Sequence, residues 1–255
     1  MPHYFIHSNQ ISDNRIIPAP DLAHHLRDVL RIKVGESISL VDESPKCYET
    51  RVIASFPNPL ELKVEREVPP PRLDRPDIHL GVSLLKRGKM EWVVQKATEL
   101  GVFRLTPLIT ARTIVRVQDE RARPLQARWL KIATEASQQS CRWDIPQIDS
   151  PRTILDFLKA QSGHGFKLIF SEKTPTEGSK AKIQSEIARA PKAGTVLIGP
   201  EGGWESAEID LAVSAGFMPV SLGHQLLRAE TAAMTALAIL QYEASNGNRK
   251  CPSYE

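Results

Sequence analysis

The sequence predicts a small β-barrel followed by an α/β domain, whose mostly parallel sheet is covered by helices. Three observations support this fold class. The first 70 residues hold short, nearly alternating apolar segments, and Pro69–Pro71 then interrupts the chain with three residues that lack a backbone donor. Beyond the prolines, strand and helix patterns alternate. We therefore predict two domains, residues 1–72 and 73–255.

The first region contains several short strands and one helix, a combination typical of a small barrel. Strands are predicted at 37–41, 48–53 and 60–64, with Gly, Pro, Asn and Asp between them. A helix is predicted over 21–30, where Leu22, Leu26, Val29 and Leu30 recur at helical spacing and Asp21 is a candidate N-cap.

The second region alternates buried-type strands with amphipathic helices, which is the pattern of a parallel sheet with helical crossovers. Strands are predicted at 77–85, 105–109, 166–170, 195–198 and 219–222, and helices at 90–100, 125–139, 206–215 and 232–244. The helix over 90–100 has Met90, Val93, Val94 and Ala97 on its inner face.

The composition is that of a folded globular chain: 41% of the residues are hydrophobic and 25% are charged. Three widely spaced cysteines exclude a disulfide framework and offer no zinc-ligand spacing, so no metal is expected. The N-terminus lacks a signal-peptide pattern, and no apolar run is long enough for a membrane span. We therefore expect a cytoplasmic protein without a membrane partner.

The net charge of +3 conceals an uneven distribution. Residues 1–72 hold 9 basic and 10 acidic side chains, whereas residues 86–142 hold 12 and 5. A local basic excess is what a polyanion binder requires. Because a solvated helix surface gives the same pattern, charge alone leaves both interpretations open.

Basic side chains recur on the outer faces of two predicted helices. Lys89, Trp92 and Lys96 share one face, which Lys86 precedes, and the second helix places four further polar residues on one face: Arg128, Lys131, Gln138 and Arg142. Faces of this kind can hold phosphates, and an exposed indole can stack on a base. Ordinary exposed helix surfaces remain the alternative.

A glycine-rich loop, Ile198-Gly-Pro-Glu-Gly-Gly-Trp204, follows a buried strand and precedes a helix. Three glycines within five residues allow the backbone to approach a ligand closely, at the sheet edge where open α/β folds bind ligands. Neither a P-loop lysine nor the dinucleotide fingerprint is present, which disfavours a nucleotide hydrolase. A purely structural turn is the other possibility.

A second loop, Ser221-Leu-Gly-His-Gln-Leu-Leu-Arg-Ala-Glu-Thr231, also leads from a strand into a helix. Leu222, Leu226 and Leu227 are candidate apolar walls, whereas Arg228 and Glu230 supply a permanent donor and a carboxylate two residues apart. The alternative for these last two residues is a surface ion pair beside a helix start.

These residues, taken together, resemble the bacterial small-subunit (16S) ribosomal RNA uracil-N3 methyltransferase family. The resemblance rests on Leu85–Gly101, Arg128–Ser140, Ile198–Gly203, Ser221–Ala232 and His24–Arg31, which occur in the family's order and cover nearly the whole chain. One departure is His3, which precedes Tyr4 and Phe5 where the family pattern has a more basic residue.

The resemblance implies a PUA/OB-like β-barrel for RNA and a SPOUT-type domain with a trefoil knot. It implies S-adenosylmethionine as cofactor, held by Ile198, Gly199, Pro200, Glu201, Gly202, Gly203, Ser221, Leu222, Gly223, Leu226 and Leu227. It further implies a homodimer that binds 16S rRNA, within the small ribosomal subunit, through His25, Arg27 and Arg31 as well as the basic helices.

The chemistry implied is methylation of N3 of a uridine, which must lose its proton before it attacks the methyl group. Our hypothesis is that Arg228 stabilises the uracil anion and that Glu230 or Glu201 orients the base or accepts the proton. Two other functions stay open: another SPOUT methyltransferase that acts on tRNA or a ribose 2′-hydroxyl, and a non-catalytic RNA-binding or ribosome-assembly protein.

Overall fold

A computed structural model describes residues 3–55, 58–70, 75–115, 119–161 and 165–244. The chain forms two compact units, residues 1–72 with Ser137–Ile145 and residues 73–136 with 146–255. The composition gave no indication that 137–145 would group with the first unit. The end of the predicted proline linker, from residue 71, lies outside the described residues.

The first unit is built on a six-stranded mixed sheet. Its strands are β1 (His3–Phe5), β2 (Ile11–Ser12), β3 (Arg15–Ile16), β4 (Ser37–Val41), β5 (Cys47–Ala54) and β6 (Glu61–Val68), in the order β1-β4-β5-β6-β3-β2. The β1–β4 pair is parallel and the other pairs are antiparallel. The described pairings form an open path, so closure into a barrel stays a prediction.

The three strands predicted in this unit are confirmed, with β5 and β6 somewhat longer than expected. The alternating side chains of β4 and β5 place Ile38, Leu40 and Val52 in one apolar core. The short strands β1 to β3 were missed, since two or three residues give no measurable alternation.

The predicted helix over 21–30 is split. It begins as α1 (Pro20–His24), in which Pro20 occupies the first turn, and continues as a π-helical turn over His25–Val29. In that wide turn the Leu30 amide donates to the carbonyl of His25. Leu26 is buried, whereas Val29 and Leu30 are exposed, so the residues at helical spacing do not share one buried face.

The second unit is built on a seven-stranded sheet whose described pairings are all parallel. Its strands are β7 (Asp77–Ser83), β8 (Arg104–Ile109), β9 (Gln147–Ile148), β10 (Arg152–Thr153), β11 (Phe166–Phe170), β12 (Ala193–Ile198) and β13 (Met218–Val220), in the order β10-β8-β7-β12-β11-β13 with β9 also on β8. The predicted mostly parallel α/β fold is confirmed.

Six further helices follow in chain order: α2 (Arg87–Glu99), α3 (Asp119–Gln139), α4 (Ile154–Lys159), α5 (Ser179–Arg189), α6 (Ser206–Ser214) and α7 (Ala229–Ala244). Met90, Val93, Val94 and Ala97 of α2 are buried, as their spacing predicted. Helices α4 and α5 were not predicted from the sequence. Among the described residues, no helix is long and apolar enough to cross a membrane.

The order of the sheet decides where loops meet. Since β12, β11 and β13 are neighbours and parallel, their carboxyl ends lie side by side at one sheet edge. The chain leaves β12 through the glycine-rich loop and leaves β13 through the second loop. The fold of the second unit therefore brings together two loops that are about 20 residues apart in sequence.

Candidate active site

A cleft lies at this edge of the sheet, with an empty volume of about 510 Å³ that includes open solvent. It is enclosed by the segments that follow β11, β12 and β13 and by the first turn of α7. The lining residues are Phe170, Ser171, Glu172, Ile198, Gly199, Pro200, Ser221, Leu222, Gly223, Gln225, Leu226, Leu227, Ala229 and Ala232.

Most of the predicted cofactor residues line this cleft. They are Ile198, Gly199 and Pro200 from the first loop and Ser221, Leu222, Gly223, Leu226 and Leu227 from the second. The remaining three, Glu201, Gly202 and Gly203, belong to the same loop but are not part of the lining. The fold therefore unites the two loops around one cleft and places the end of the glycine-rich loop beside it.

Trp204 fixes the glycine-rich loop. Its indole is fully buried, and Nε1 donates to the carbonyl of Phe170 over 2.9 Å. A Cβ at Gly199 would lie 3.0 Å from that Nε1 atom, which explains the glycine at this close approach. Gly203 adopts φ +70°, a left-handed conformation that favours glycine.

Two basic side chains hold the same loop from outside. Arg112 donates from Nη1 to the carbonyl of Gly202 over 2.8 Å, and Lys173 donates from Nζ to the carbonyl of Trp204 over 3.1 Å. Both residues were missed by the sequence analysis. They lie just beyond the ends of β8 and β11. Because open α/β sheets bind ligands at the carboxyl ends of their strands, this position marks both residues as candidates.

Ser221 organises the second loop. Its amide donates to Ser179 Oγ over 3.0 Å, and its own Oγ both accepts from the Gly223 amide and donates to the Gly223 carbonyl. The loop therefore closes on one hydroxyl, while Gly223 takes φ +135°. Ser221 is buried, whereas Leu226 is 81% exposed, so one side of the cleft is open.

Glu172 is a cleft residue that the sequence analysis did not identify. It follows β11 by two residues and lies against the glycine-rich loop, since a Cβ at Gly203 would come within 2.0 Å of Oε1 of Glu172. It is the acidic side chain among the residues that line the cleft. Its position just after a buried strand could have identified Glu172, because the same position identified the two loops.

An ammonium group lies between the two candidate bases. Nζ of Lys89, near the start of α2, is 2.8 Å from Oε1 of Glu201 and 3.4 Å from Oε1 of Glu230. The hydrogen bond from Lys89 lowers the pKa of Glu201 and raises the pKa of Lys89. Oε2 of Glu230 is buried and has no hydrogen-bond partner among the described residues.

Arg228 and Glu230 stand at the beginning of α7, which starts three residues earlier than predicted. Glu230 is in the first helical turn, where the helix dipole favours a carboxylate. Thr231 lies inside the helix and is not its cap, because the amide of Ala232 already donates to the Arg228 carbonyl. The Arg228 guanidinium is exposed and has no partner among the described residues.

The RNA-binding candidates of the second unit differ in their surroundings. Lys96 pairs with Glu99 at 2.8 Å and Arg128 pairs with Glu91 at 2.7 Å, so both carry a carboxylate neighbour. Lys86 and Lys131 are exposed. Trp92 on the outer face of α2 is 43% exposed, as its spacing predicted.

In the first unit, the predicted placement of Arg142 on an exposed helix face was wrong. Helix α3 ends at Gln139, and Arg142 is buried and paired with Asp144 instead of sharing an exposed face with Gln138. The chain turns at Cys141, which has φ +55°. A side chain engaged in this way is not available to a phosphate.

The remaining candidates of the first unit surround the π-helical turn. Arg27 forms a two-armed hydrogen bond with Asp28, Arg31 is exposed with φ +56°, and the His25 ring lies 5.8 Å from that of Tyr4. His3 accepts a hydrogen bond from Trp143 Nε1 over 3.1 Å. Burial lowers the pKa of His3, because it disfavours the charged form of the ring.

Comparison with known proteins connects this geometry to a family. The model of the RNA methyltransferase domain matches residues 72–241. The ribosomal RNA small subunit methyltransferase E of Rickettsia conorii is 30% identical over 92% of this chain and 92% of its own length. The chain belongs to the ribosomal RNA small subunit methyltransferase E family.

Two solved structures extend the likeness to this family. A protein of that name from Neisseria gonorrhoeae, bound to S-adenosylmethionine, is 29% identical with a TM-score of 0.81, over 95% of this chain and 97% of its own. A Legionella pneumophila protein with bound S-adenosylmethionine is 30% identical with a TM-score of 0.83, over 94% and 96%. The predicted cofactor is therefore the one that these homologues hold.

The cleft fits that cofactor chemically. Ile198, Leu222 and Leu227 offer apolar walls to an aromatic base, and Gly199 leaves free the space that a Cβ would occupy. The Glu172 carboxylate is suited to an ammonium or hydroxyl donor. Among the described residues, no group of three His, Cys, Asp or Glu side chains is arranged to hold a metal ion.

Proposed function

We propose that this protein transfers the methyl group of S-adenosylmethionine to N3 of a uridine in the 16S rRNA of the small ribosomal subunit. The observation that carries the proposal is the position of Glu230. Its unpartnered, buried Oε2 atom lies in the helical turn that also contributes Ala229 and Ala232 to the cleft. A carboxylate oxygen without a donor is what removal of the N3 proton requires.

The bound cofactor supplies an electrophilic methyl group. Ile198, Gly199, Pro200, Ser221, Leu222, Gly223, Leu226 and Leu227 hold it in the cleft, with Glu201, Gly202 and Gly203 completing the loop. Glu172 is added to this set as a partner for a polar group of the cofactor. The protein's contribution here is position, since aligned groups remove much of the entropic barrier of a two-substrate reaction.

Glu230 is assigned as the proton acceptor in preference to Glu201. The Lys89 hydrogen bond lowers the pKa of Glu201 and makes its carboxylate a weaker base. Glu230 has only the longer 3.4 Å contact to Lys89 on one oxygen, and its other oxygen is buried without a hydrogen-bond partner among the described residues. Glu201 therefore positions the loop, and Glu230 accepts the proton.

Arg228 is assigned to the negative charge that appears on the uracil ring when N3 loses its proton. The guanidinium directly precedes α7, has no partner among the described residues and follows Leu227 of the cleft wall. A permanently charged donor that waits at the site of a developing oxyanion stabilises it without having to break another contact first.

The RNA phosphates are assigned to Lys86, Lys96, Arg128 and Lys131 in the second unit and to His25, Arg27, Arg31 and Gln138 in the first. Lys86, Lys131 and Arg31 are exposed, whereas Lys96, Arg128 and Arg27 are paired with carboxylates. Contacts of this type fix the orientation of the RNA and do not select its sequence.

The proposal includes the finer architecture that the family resemblance implies. Residues 1–72 form a PUA/OB-like β-barrel that binds RNA, and residues 73–255 form a SPOUT domain whose C-terminal segment passes through a trefoil knot. The protein acts as a cytoplasmic homodimer on rRNA in the small subunit. The two cofactor loops follow β12 and β13, which lie on either side of β11 in the sheet, and this order is consistent with the proposed arrangement.

Nucleoside mass spectrometry of rRNA from cells with and without the protein tests the proposal. N3-methyluridine that is lost from 16S rRNA on deletion, and restored by the purified protein with S-adenosylmethionine, is the expected result. Methylation of tRNA or of a ribose hydroxyl instead would assign the protein to another SPOUT activity. Failure to bind S-adenosylmethionine in calorimetry would indicate a non-catalytic RNA-binding protein.

A further inference from the structure

Lys89 was predicted to bind a phosphate, but its surroundings do not suit a phosphate. Its ammonium lies between Glu201, from the loop after β12, and Glu230, from the first turn of α7. One positive charge faces two carboxylates, so the local charge is −1 before Lys86, the next cation near Glu201, is included. A phosphate would be repelled by both carboxylates at contact distance.

The same arrangement suits a neutral ring with alternating donors and acceptors. An ammonium has three N–H donors, of which Glu201 and Glu230 occupy two, and the Lys89 side chain is 34% exposed. One donor of Lys89 therefore remains for a ligand. Oε2 of Glu230 is a buried acceptor without a partner among the described residues, on the same carboxylate that Lys89 contacts, so a base that binds it must displace the atoms that cover it.

We propose that Lys89 and Glu230 together recognise the base edge of the target and select uracil over cytosine. Glu230 Oε2 accepts the hydrogen bond of the uracil N3–H group, while Lys89 donates to O4, the adjacent carbonyl oxygen that cytosine replaces with an amino group. This inference rests on the proposed function, because it assigns the base recognised at the same site.

Glu230 and Lys89 have separate roles in the transfer step. The N3 proton passes to Glu230 Oε2, the N3 lone pair forms the bond to the methyl carbon, and the sulfur–carbon bond breaks with its electron pair on sulfur. Lys89 stays protonated throughout, and its donor faces the oxygen on which negative charge accumulates. The hydrogen bonds that select the base therefore also assist its deprotonation.

Cytosine does not match this pair. Its N3 atom is an acceptor that would face the carboxylate, and its amino group would direct a donor at the Lys89 ammonium. Sites built around specific donors and acceptors can reject a mismatched ligand by about 10⁴-fold, since buried polar groups are left unpaired. We expect a preference for uracil of this order, provided that Lys89 and Glu230 are both present.

The test compares the wild type, Lys89→Met and Lys89→Arg, with Lys182→Met as the control. Lys182 is an exposed lysine on α5 with no assigned role. Each protein is measured for binding of S-adenosylmethionine by calorimetry, for single-turnover methylation, and for affinity to 16S rRNA transcripts that carry uracil or cytosine at the target, as a function of salt.

Lys89→Met is expected to lower the single-turnover rate by at least about 10²-fold and to abolish the preference for the uracil transcript in binding. S-adenosylmethionine affinity and the salt slope stay near the wild-type values. Lys89→Arg, which keeps the charge, recovers part of the preference. The control variant behaves like the wild type in every measurement.

Three results would overturn the inference. A salt slope that falls by about 0.7 in Lys89→Met, with uracil and cytosine transcripts weakened equally, would make Lys89 a phosphate ligand. Loss of S-adenosylmethionine binding in both Lys89 variants would make it a structural clamp of the loops. An unchanged preference for uracil would exclude base recognition. If the wild type forms no N3-methyluridine, the proposed function itself fails, which separates the two failures.

Discussion

Glu201 Oε1 accepts a hydrogen bond of 2.8 Å from Lys89 Nζ, although 112 residues separate the two side chains in the sequence. The contact links the glycine-rich loop to α2, and it is shorter than the 3.4 Å ion pair that Lys89 forms with Glu230, the other candidate base. It therefore distinguishes two glutamates that the sequence could not rank. Each of them can be tested by replacing its carboxylate with an amide.

Glu230→Gln is expected to lower the methylation rate by about 10²- to 10⁴-fold, because the amide cannot accept the N3 proton. Glu201→Gln is expected to lower it by less than tenfold, since Glu201 only positions its loop. The measurement is the single-turnover rate as a function of pH. In Glu230→Gln the limb in which the rate rises with pH should vanish, and in Glu201→Gln it should persist. The reverse pattern would exchange the two roles.

Arg228→Ala is expected to lower the single-turnover rate by about 10²- to 10³-fold, which is the usual effect of losing an oxyanion donor. Affinity for S-adenosylmethionine, measured by calorimetry, should stay unchanged because Arg228 is not part of the cleft lining. Arg228→Lys keeps the charge but not the planar donor, and should be intermediate. A normal rate in Arg228→Ala would refute the assignment.

Much of the cleft was predictable, because loops that lead from a parallel strand into a helix form the ligand sites of such sheets. Ser221 and Gly223 follow a strand and precede a helix, so their sequence neighbours alone indicated a ligand-binding loop. The same rule applied to Glu172, but the missed helix α5 removed the context that marks the end of β11 as a strand-to-helix loop.

Other features depend on contacts that sequence spacing does not encode. The partners of Lys89 lie more than 100 residues away, so its charge alone suggested a phosphate ligand. Arg142 was assigned to a helix face by spacing, but α3 ends at Gln139 and the positive φ of Cys141 turns the chain away. Helix ends and long-range ion pairs are decided by tertiary packing.

Trp204, the aromatic residue at the end of the glycine-rich loop, should contribute strongly to the stability of the folded protein. Trp204→Ala is expected to lower the free energy of unfolding by about 3–5 kcal/mol, because it empties a fully buried site. Trp204→Phe should cost about 1–3 kcal/mol, since the Phe170 carbonyl loses its donor. Urea unfolding measures both. Trp92→Phe, at an exposed position, is the control and should stay within about 0.5 kcal/mol.

His79 should make the folded state sensitive to acid. Its Nε2 atom lies 2.7 Å from Thr106 Oγ1, which donates to Asp149. Burial is the main cause that lowers the pKa of His79 from 6.5 to about 4. Folding therefore favours the neutral ring. Its contribution to stability is complete above pH 6.5 and is lost as the pH falls toward 4.

Because of this linkage, the free energy of unfolding should fall by about 2 kcal/mol between pH 7 and pH 5. Denaturant unfolding at the two pH values measures the difference. His79→Gln, which keeps a donor for Thr106 but does not titrate, should show a correspondingly smaller difference. Asp149 adds a pH dependence to both proteins, because burial raises its pKa but Arg104 and Thr106 together lower it further; His79 lowers that pKa too, so this contribution is somewhat smaller in His79→Gln. Equal pH dependence of the two proteins would show that His79 does not contribute.

The basic excess of the second unit should appear as salt-dependent RNA affinity, carried mainly by its exposed lysines. Lys86→Ala combined with Lys131→Ala removes two accessible charges and should flatten the slope of log K against log salt by about 1.4 on a single-stranded substrate. Affinity should fall equally for uracil and cytosine transcripts, since phosphate contacts carry no base preference. Lys182→Ala is the matched control and should leave the slope unchanged. A double variant that alters base preference without altering the slope would contradict the phosphate assignment.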